Sequence, residues 1–128
     1  MDLYRELILD HFKHPRNFGH LNDPDVTHEE YNTTCGDRIR MEIKLKRRKT
    51  KVSIADVKFS GDGCAISQAS ASLLTERIKG MATGTVMKFT PKNVYDMLEV
   101  TLTPSRVKCA LLPLEVIQKA VTKNRKGA

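Results

Sequence analysis

Tryptophan is absent from this 128-residue chain and aromatic residues make up only 5% of it. The interleaving of aromatic and basic side chains on which single-stranded nucleic acids stack is therefore missing. Cysteine is scarce and odd in number. Three residues, Cys35, Cys64 and Cys109, cannot build a disulfide framework, and in a reducing compartment free thiols serve as ligands, as nucleophiles or as plain core residues. No apolar run approaches the length that spans a bilayer, and the charged start Met1-Asp2-Leu3-Tyr4-Arg5-Glu6 leads into no secretory signal. These absences point to a cytoplasmic protein with no membrane association, for which nucleic acid is a disfavoured partner.

What is present fits one compact domain over residues 1–128, with 1–2 and 123–128 expected to fray at its ends. Apolar residues amount to 40% and charged residues to 29%, with 22 Lys and Arg against 15 Asp and Glu. Much of that excess lies in Lys44-Leu45-Lys46-Arg47-Arg48-Lys49-Thr50-Lys51 and in the tail from Lys119 to Lys126. Such runs read as a solvated hairpin tip and a solvated tail.

Leu3 to Phe12 has a helical pattern with Leu3, Leu7 and Ile8 on one side, ended by Pro15 near His14. Asp10, His11 and His14 have the composition of a metal site, but a surface or capping role suits the histidines of a helix end better. Arg16 to Glu30, rich in turn residues, reads as a connector. Ile39 to Lys46 alternates apolar and charged residues, as does Val52 to Phe59, predicting an antiparallel hairpin around Arg47–Lys51. Its core face would hold Ile39, Met41, Ile43 and Leu45 with Val52, Ile54, Val57 or Phe59. The change of parity between Ile54 and Val57 predicts a bulge before a turn at Gly61.

Ser60-Gly61-Asp62-Gly63 then presents Cys64 at the start of a small-residue helix ending near Ile78-Lys79-Gly80. Helix N-termini favour anions, so a thiol placed there is biased toward a thiolate able to bind metal or attack sulfur. Met81 to Met87 forms a short segment around Gly84. Thr90-Pro91 opens a further helix with Val94, Met97 and Leu98 on its apolar face. Thr101 to Ser105 reads as a loop. Arg106 to Val121 reads as a strongly apolar helix, in which Pro113 places the helix proper at or just before itself or leaves Cys109 in a preceding turn; either way Cys109 lies at a helix head. The whole predicts an α+β fold in which a small antiparallel sheet of about three strands packs against several helices.

Each cysteine thus falls at an element boundary, and hairpin pairing returns Cys35 and Cys64 to the same end. Three thiolates and one further donor suffice for a tetrahedral zinc site or for the four protein ligands of a two-iron cluster. Asp37, across Gly36 from Cys35, is the obvious oxygen donor.

Three separated motifs, Cys35-Gly36-Asp37, Phe59-Ser60-Gly61-Asp62-Gly63-Cys64-Ala65-Ile66-Ser67 and Arg106-Val107-Lys108-Cys109-Ala110-Leu111-Leu112-Pro113-Leu114, together resemble the IscU/SufU/NifU amino-terminal family of iron-sulfur cluster assembly scaffolds. Tyr4, Asp10-His11 and Pro15-Arg16-Asn17-Phe18-Gly19 match the family's amino-terminal pattern. The resemblance spans nearly the whole chain. It implies a scaffold that builds a transient [2Fe-2S] cluster from iron and the sulfur delivered by a cysteine desulfurase, then passes it to apo iron-sulfur proteins or carriers. It implies that Cys35, Asp37, Cys64 and Cys109 are ligands to cluster or Zn2+, that the cysteines accept persulfide sulfur, and that Asp37 keeps the cluster labile. A cluster bridging two copies in a homo-oligomer is compatible with this. The alternative within the family is a zinc-dependent SufU-type sulfurtransferase that accepts persulfide; the scaffold reading makes the protein no enzyme. Where IscU proteins carry histidine before the last cysteine, this chain has Lys108, a modulator expected to compensate thiolate charge or to pair with Asp37. The long SufU insertion between the second and third cysteines is missing. So is the Leu-Pro-Pro-Val-Lys segment read by the IscU chaperone, replaced here by Thr103-Pro104-Ser105-Arg106-Val107-Lys108.

Overall fold

A computed structural model describes residues 3–33 and 36–127, with side chains from 6 to 33 and from 36 to 123. The elements in chain order are α1 (Leu3–Lys13), β1 (Val26–Asn32), β2 (Asp37–Arg48), β3 (Lys51–Asp62), α2 (Ala65–Ile78), α3 (Thr83–Val86), α4 (Pro91–Leu98) and α5 (Pro104–Gly127). The strands form an antiparallel sheet in the order β1-β2-β3, and the architecture is the expected α+β arrangement.

Alternation in the sequence sets the faces of the sheet. Ile39, Met41, Ile43, Ile54, Val57 and Phe59 are all fully buried and meet α2 and α5 through Leu74, Ile78, Val116 and Ile117. The predicted parity change is real: Lys44 pairs with Asp56 but Leu45 with Ile54, leaving Ala55 as the extra residue of a bulge. The bulge returns Ile54 and Val57 to the same face. The hairpin turn is only Lys49-Thr50, with Lys49 at φ 52°.

Two strand boundaries differ from expectation. Val26–Asn32, read as connector, is the edge strand β1, pairing from Val26 opposite Ile43 to Asn32 opposite Asp37. Its polar side chains are mostly half-buried beneath α5, so it carries little apolar signal. β3 runs on to Asp62 instead of ending before Ser60, and Gly61 is a strand residue opposite Ile39. A Cβ there would lie 1.9 Å from the Arg38 carbonyl oxygen, and φ is 145°, so only glycine fits. The outer edge of β3 is covered at both ends: the Phe59 N–H donates to Asn17 O, and the Ile54 N–H to Met81 O.

α2 is the central helix, touching α1, α4, α5 and β3. Its buried Ala69, Ser70, Ala71 and Ser72 let neighbours approach closely. One neighbour corrects the expectation for His11, which is buried and not on the surface: its Nδ1 lies 2.7 Å from Ser72 Oγ, which also accepts the Arg16 N–H. His14 is exposed, as expected for a helix end.

The last helix is the largest departure. α5 starts at Pro104, within the stretch read as loop, passes through Pro113 and runs to Gly127. Cys109 therefore sits in the second turn of a 24-residue helix and not at a helix head. Proline in a helix interior costs about 3 kcal/mol through the missing N–H and the clash at residue i−4. Burial of Ala110, Leu112 and Leu114 around it, with Val116, Ile117, Ala120 and Val121 beyond, opposes that cost. The i−4 residue of Pro113 is Cys109, whose carbonyl receives no N–H from position 113. Next to it, Ser70 Oγ donates to the Ala110 carbonyl at 2.7 Å and ties the weakened turn to α2.

Candidate metal centre

The site forms where the open end of the β2–β3 hairpin meets α2 and α5. Arg38 closes that end with ion pairs to Glu29 on β1 at 2.8 Å and to Asp62 on β3 at 3.2 Å. Asp37, the first residue of β2, is buried. Its Oδ1 accepts the backbone N–H of Cys64 at 2.9 Å, while Oδ2 lies 3.9 Å from Cys64 Sγ. Cys64 occupies the N-cap of α2 in extended conformation. A helix start needs acceptors for its free N–H groups, and here a carboxylate from another element supplies one, with charge of the favoured sign.

Gly63 makes this reach feasible. A Cβ at that position would stand 2.6 Å from Asp37 Oδ1 and 2.5 Å from Ser67 Oγ. The space it leaves is filled by the aspartate that holds Cys64. Ser67 Oγ donates to the Cys64 carbonyl at 3.1 Å and lies 4.0 Å from its sulfur. Cys64 is half-buried and Cys109 is buried beside it on α5.

One carboxylate oxygen of Asp37 and the sulfurs of Cys64 and Cys109 all lie within 4.8 Å of one another. The edge of a tetrahedron of thiolates around zinc is about 3.8 Å, given Zn–S distances near 2.3 Å. A small closure would let the three donors bind a zinc ion. A soft metal suits the two sulfurs, and the carboxylate is the harder, weaker partner. Of the four residues expected at the site, these three are brought together. Cys35 lies outside the described residues, in the connection between the paired residues Asn32 and Asp37.

Lys108 is exposed and lines a groove beside Tyr31 and Thr33; no Asp37–Lys108 ion pair occurs among the described residues. The cation at the sulfurs is Arg106, which the sequence reading missed. The negative charge of Cys64 first, then a hydrogen bond to Cys109, raises the Arg106 pKa above the ordinary guanidinium value. The missed signal was helical spacing: Arg106 and Cys109 are i and i+3 on α5 and share a face, whereas Lys108 is rotated away. That spacing applies only once the helix is known to begin at Pro104.

A three-stranded antiparallel sheet backed by helices, with a carboxylate and two thiols gathered at one end, defines an α+β domain with a candidate metal site. The chain matches the family model of the NifU-like N terminal domain over residues 3–127, and it belongs to that family. It is 39% identical to the zinc-dependent sulfurtransferase SufU of Bacillus subtilis, over 98% of this chain and 93% of that protein. That alignment runs to 143 positions, longer than this chain, so the relative carries residues that are missing here. Identity to the iron-sulfur cluster assembly scaffold protein IscU of Azotobacter vinelandii is 36%, over 97% of each chain. Among solved structures, FiSufU of the SUF system of Fervidobacterium islandicum superposes with a TM-score of 0.78 at 30% identity, covering 91% of this chain and 94% of that one. Among the described residues no helix is long and apolar enough to cross a membrane.

Proposed function

We propose that the protein is a scaffold on which iron and desulfurase-derived sulfur are assembled into a transient [2Fe-2S] cluster for transfer to apoproteins. The observation that carries this reading is the convergence of Asp37, Cys64 and Cys109 within 4.8 Å. Cys35 is the fourth donor: chain connectivity keeps its Cα within about 7.6 Å of the Asp37 Cα, two peptide units away. Membership of a family that includes IscU scaffolds supports the assignment.

The cluster is cargo, and the chain supplies its berth. The cysteines act as ligands and as acceptors of persulfide sulfur, while Arg106 offsets the negative charge that accumulates on sulfur-rich ligands. Asp37 gives the site one weak bond, the natural point of release. Its Oδ1 serves the Cys64 N–H, while Oδ2 is the oxygen that lies 3.9 Å from Cys64 Sγ. Single serine substitutions at Cys35, Cys64 and Cys109 test the ligand set: each should abolish retention of a visible-absorbing cluster after anaerobic reconstitution. Retention by any one variant removes that cysteine from the set.

A second reading is favoured by the 39% identity to a zinc-dependent sulfurtransferase. The same donor set would hold Zn2+, which would stabilise thiolates and mask the sulfurs until one is displaced to accept persulfide. Under either reading the partners are a cysteine desulfurase and sulfur- or cluster-accepting proteins, and the site lies in a cytoplasmic protein.

A further inference from the structure

On the far side of α5 from Arg106 lies a groove of about 940 Å3 between that helix, β1 and the segment from Met87 to Pro91. Met87, Phe89, Leu111 and Leu114 give it an apolar floor, and the exposed Tyr31 stands at its wall. Lys108, Leu111, Glu115, Gln118 and Thr122 recur at helical i+3 and i+4 steps, and Lys123 follows Lys119 at i+4, so the groove follows one stripe of α5. From Lys108 to Lys123 that stripe is about 22 Å long at 1.5 Å per residue.

The charges along it are unequal. Lys119, near one end, is neutralised by Glu30 at 3.4 Å and Glu115 at 3.0 Å. Lys108 and Lys123, at the two extremities, form no ion pair among the described residues; Lys123 Nζ reaches only the Thr27 carbonyl, at 3.4 Å. In the β1 wall, His28 bonds Glu30 through Nε2, while its buried Nδ1 has no hydrogen-bond partner.

We propose that this groove docks an elongated segment of a partner protein, apolar in its middle and acidic at both ends. The length suits an elongated segment: about six extended residues or four helical turns span it. The separated lysines select carboxylates at both extremities, and like charge repels basic segments. The groove ends at Tyr31–Thr33, two positions before Cys35 in the chain, and through Cys35 as a ligand it is connected to the metal centre. That last point rests on the function proposed above; the docking itself does not.

The test is titration of the 15N-labelled full-length, metal-free protein with acetyl-EDLFSLLDE-amide, followed by amide shifts. Saturable shifts should cluster at Tyr31, Phe89, Leu111 and Gln118. Joint Lys108→Glu and Lys123→Glu substitution, at exposed positions, should weaken binding roughly tenfold or more while leaving the rest of the spectrum unchanged. Leu111→Ser should weaken it independently. The proposal is overturned by an absence of saturable shifts, by shifts confined to the Lys46–Lys51 hairpin, or by equal binding of acetyl-KKLFSLLKK-amide. Equal binding of dodecanoate would indicate a lipid site, and concentration-dependent shifts without peptide would indicate a second copy; either contradicts it. Failure of the function reading shows separately, as absence of cluster on the unmodified protein.

Discussion

The Asp37 carboxylate caps the helix that begins at Cys64, with 2.9 Å between Oδ1 and the Cys64 nitrogen. The residue expected to bind metal is thus also a structural tie between β2 and α2. Asp37→Ala and Asp37→Asn should therefore diverge. Alanine removes the cap and should cost the metal-free protein about 1 kcal/mol, the usual value of an N-cap side chain. Asparagine keeps an acceptor and should cost less. Denaturant unfolding of the metal-free proteins measures this, and equal losses would show that the cap does not contribute.

The same pair predicts a kinetic effect. With Asp37 as the proposed weak oxygen ligand, its replacement by alanine should let a reconstituted cluster persist longer than on the unmodified protein. Decay of visible absorbance in the presence of a chelator reads the lifetime, and an unchanged lifetime would exclude Asp37 as the labile ligand.

Gly63→Ala tests the packing behind that carboxylate. The added methyl meets two side-chain ends, which can give way, so the stability cost should stay near 1 kcal/mol, the low end for overpacking. Zinc affinity, measured by competition with a chromophoric chelator, should nevertheless fall roughly tenfold as Asp37 is displaced from Cys64. Unaltered affinity would mean that Asp37 is not needed at the metal.

Arg106 and Lys108 make a paired prediction. Thiolate is the reactive form of cysteine, and the exposed Arg106 is the cation whose pKa is raised by Cys64 and Cys109. Arg106→Ala should slow iodoacetamide alkylation of the metal-free protein several-fold at neutral pH, with partial recovery in Arg106→Lys. Lys108→Ala should have the smaller effect, because Lys108 faces the groove. The reverse order would restore Lys108 as the residue that compensates thiolate charge.

How much of this was legible in the sequence depended on which interactions are local. Alternation from Ile39 to Phe59 reported the β2–β3 hairpin and even its bulge, because side-chain parity is a direct image of burial. The edge strand β1 was illegible for the opposite reason: Val26-Thr27-His28-Glu29-Glu30-Tyr31-Asn32 is covered by a helix some eighty residues later, so its polar side chains are half-buried and ion-paired. Motif reading found Asp37, Cys64 and Cys109. It missed Arg106 because Pro113, a strong local stop signal, is overridden by apolar burial on both sides of it. His11 was likewise misplaced, since only the small residues of α2 make room for a histidine there.

That buried histidine carries a pH dependence. Burial first, then the charge of Arg16, lowers the His11 pKa below its ordinary value of 6.5, with Asp10 and Glu76 pulling the other way. The unfolded chain therefore takes up the proton more readily than the folded one. The associated stability is fully present above about pH 6.5, falls as pH drops below it, and levels off below the folded-state pKa. Between about pH 7.5 and 5.5 the metal-free protein should lose more melting temperature than the His11→Gln variant does. Parallel losses would assign the acid sensitivity to other groups.

The account's central claim is that these residues build and release a cluster. Its most direct test is anaerobic incubation of the unmodified protein with iron, cysteine and a cysteine desulfurase, followed by addition of an apo-ferredoxin. The expected result is a visible-absorbing cluster that forms on this chain and then appears on the ferredoxin. Absence of any cluster, with zinc-dependent stimulation of the desulfurase instead, would contradict the scaffold and establish the sulfurtransferase.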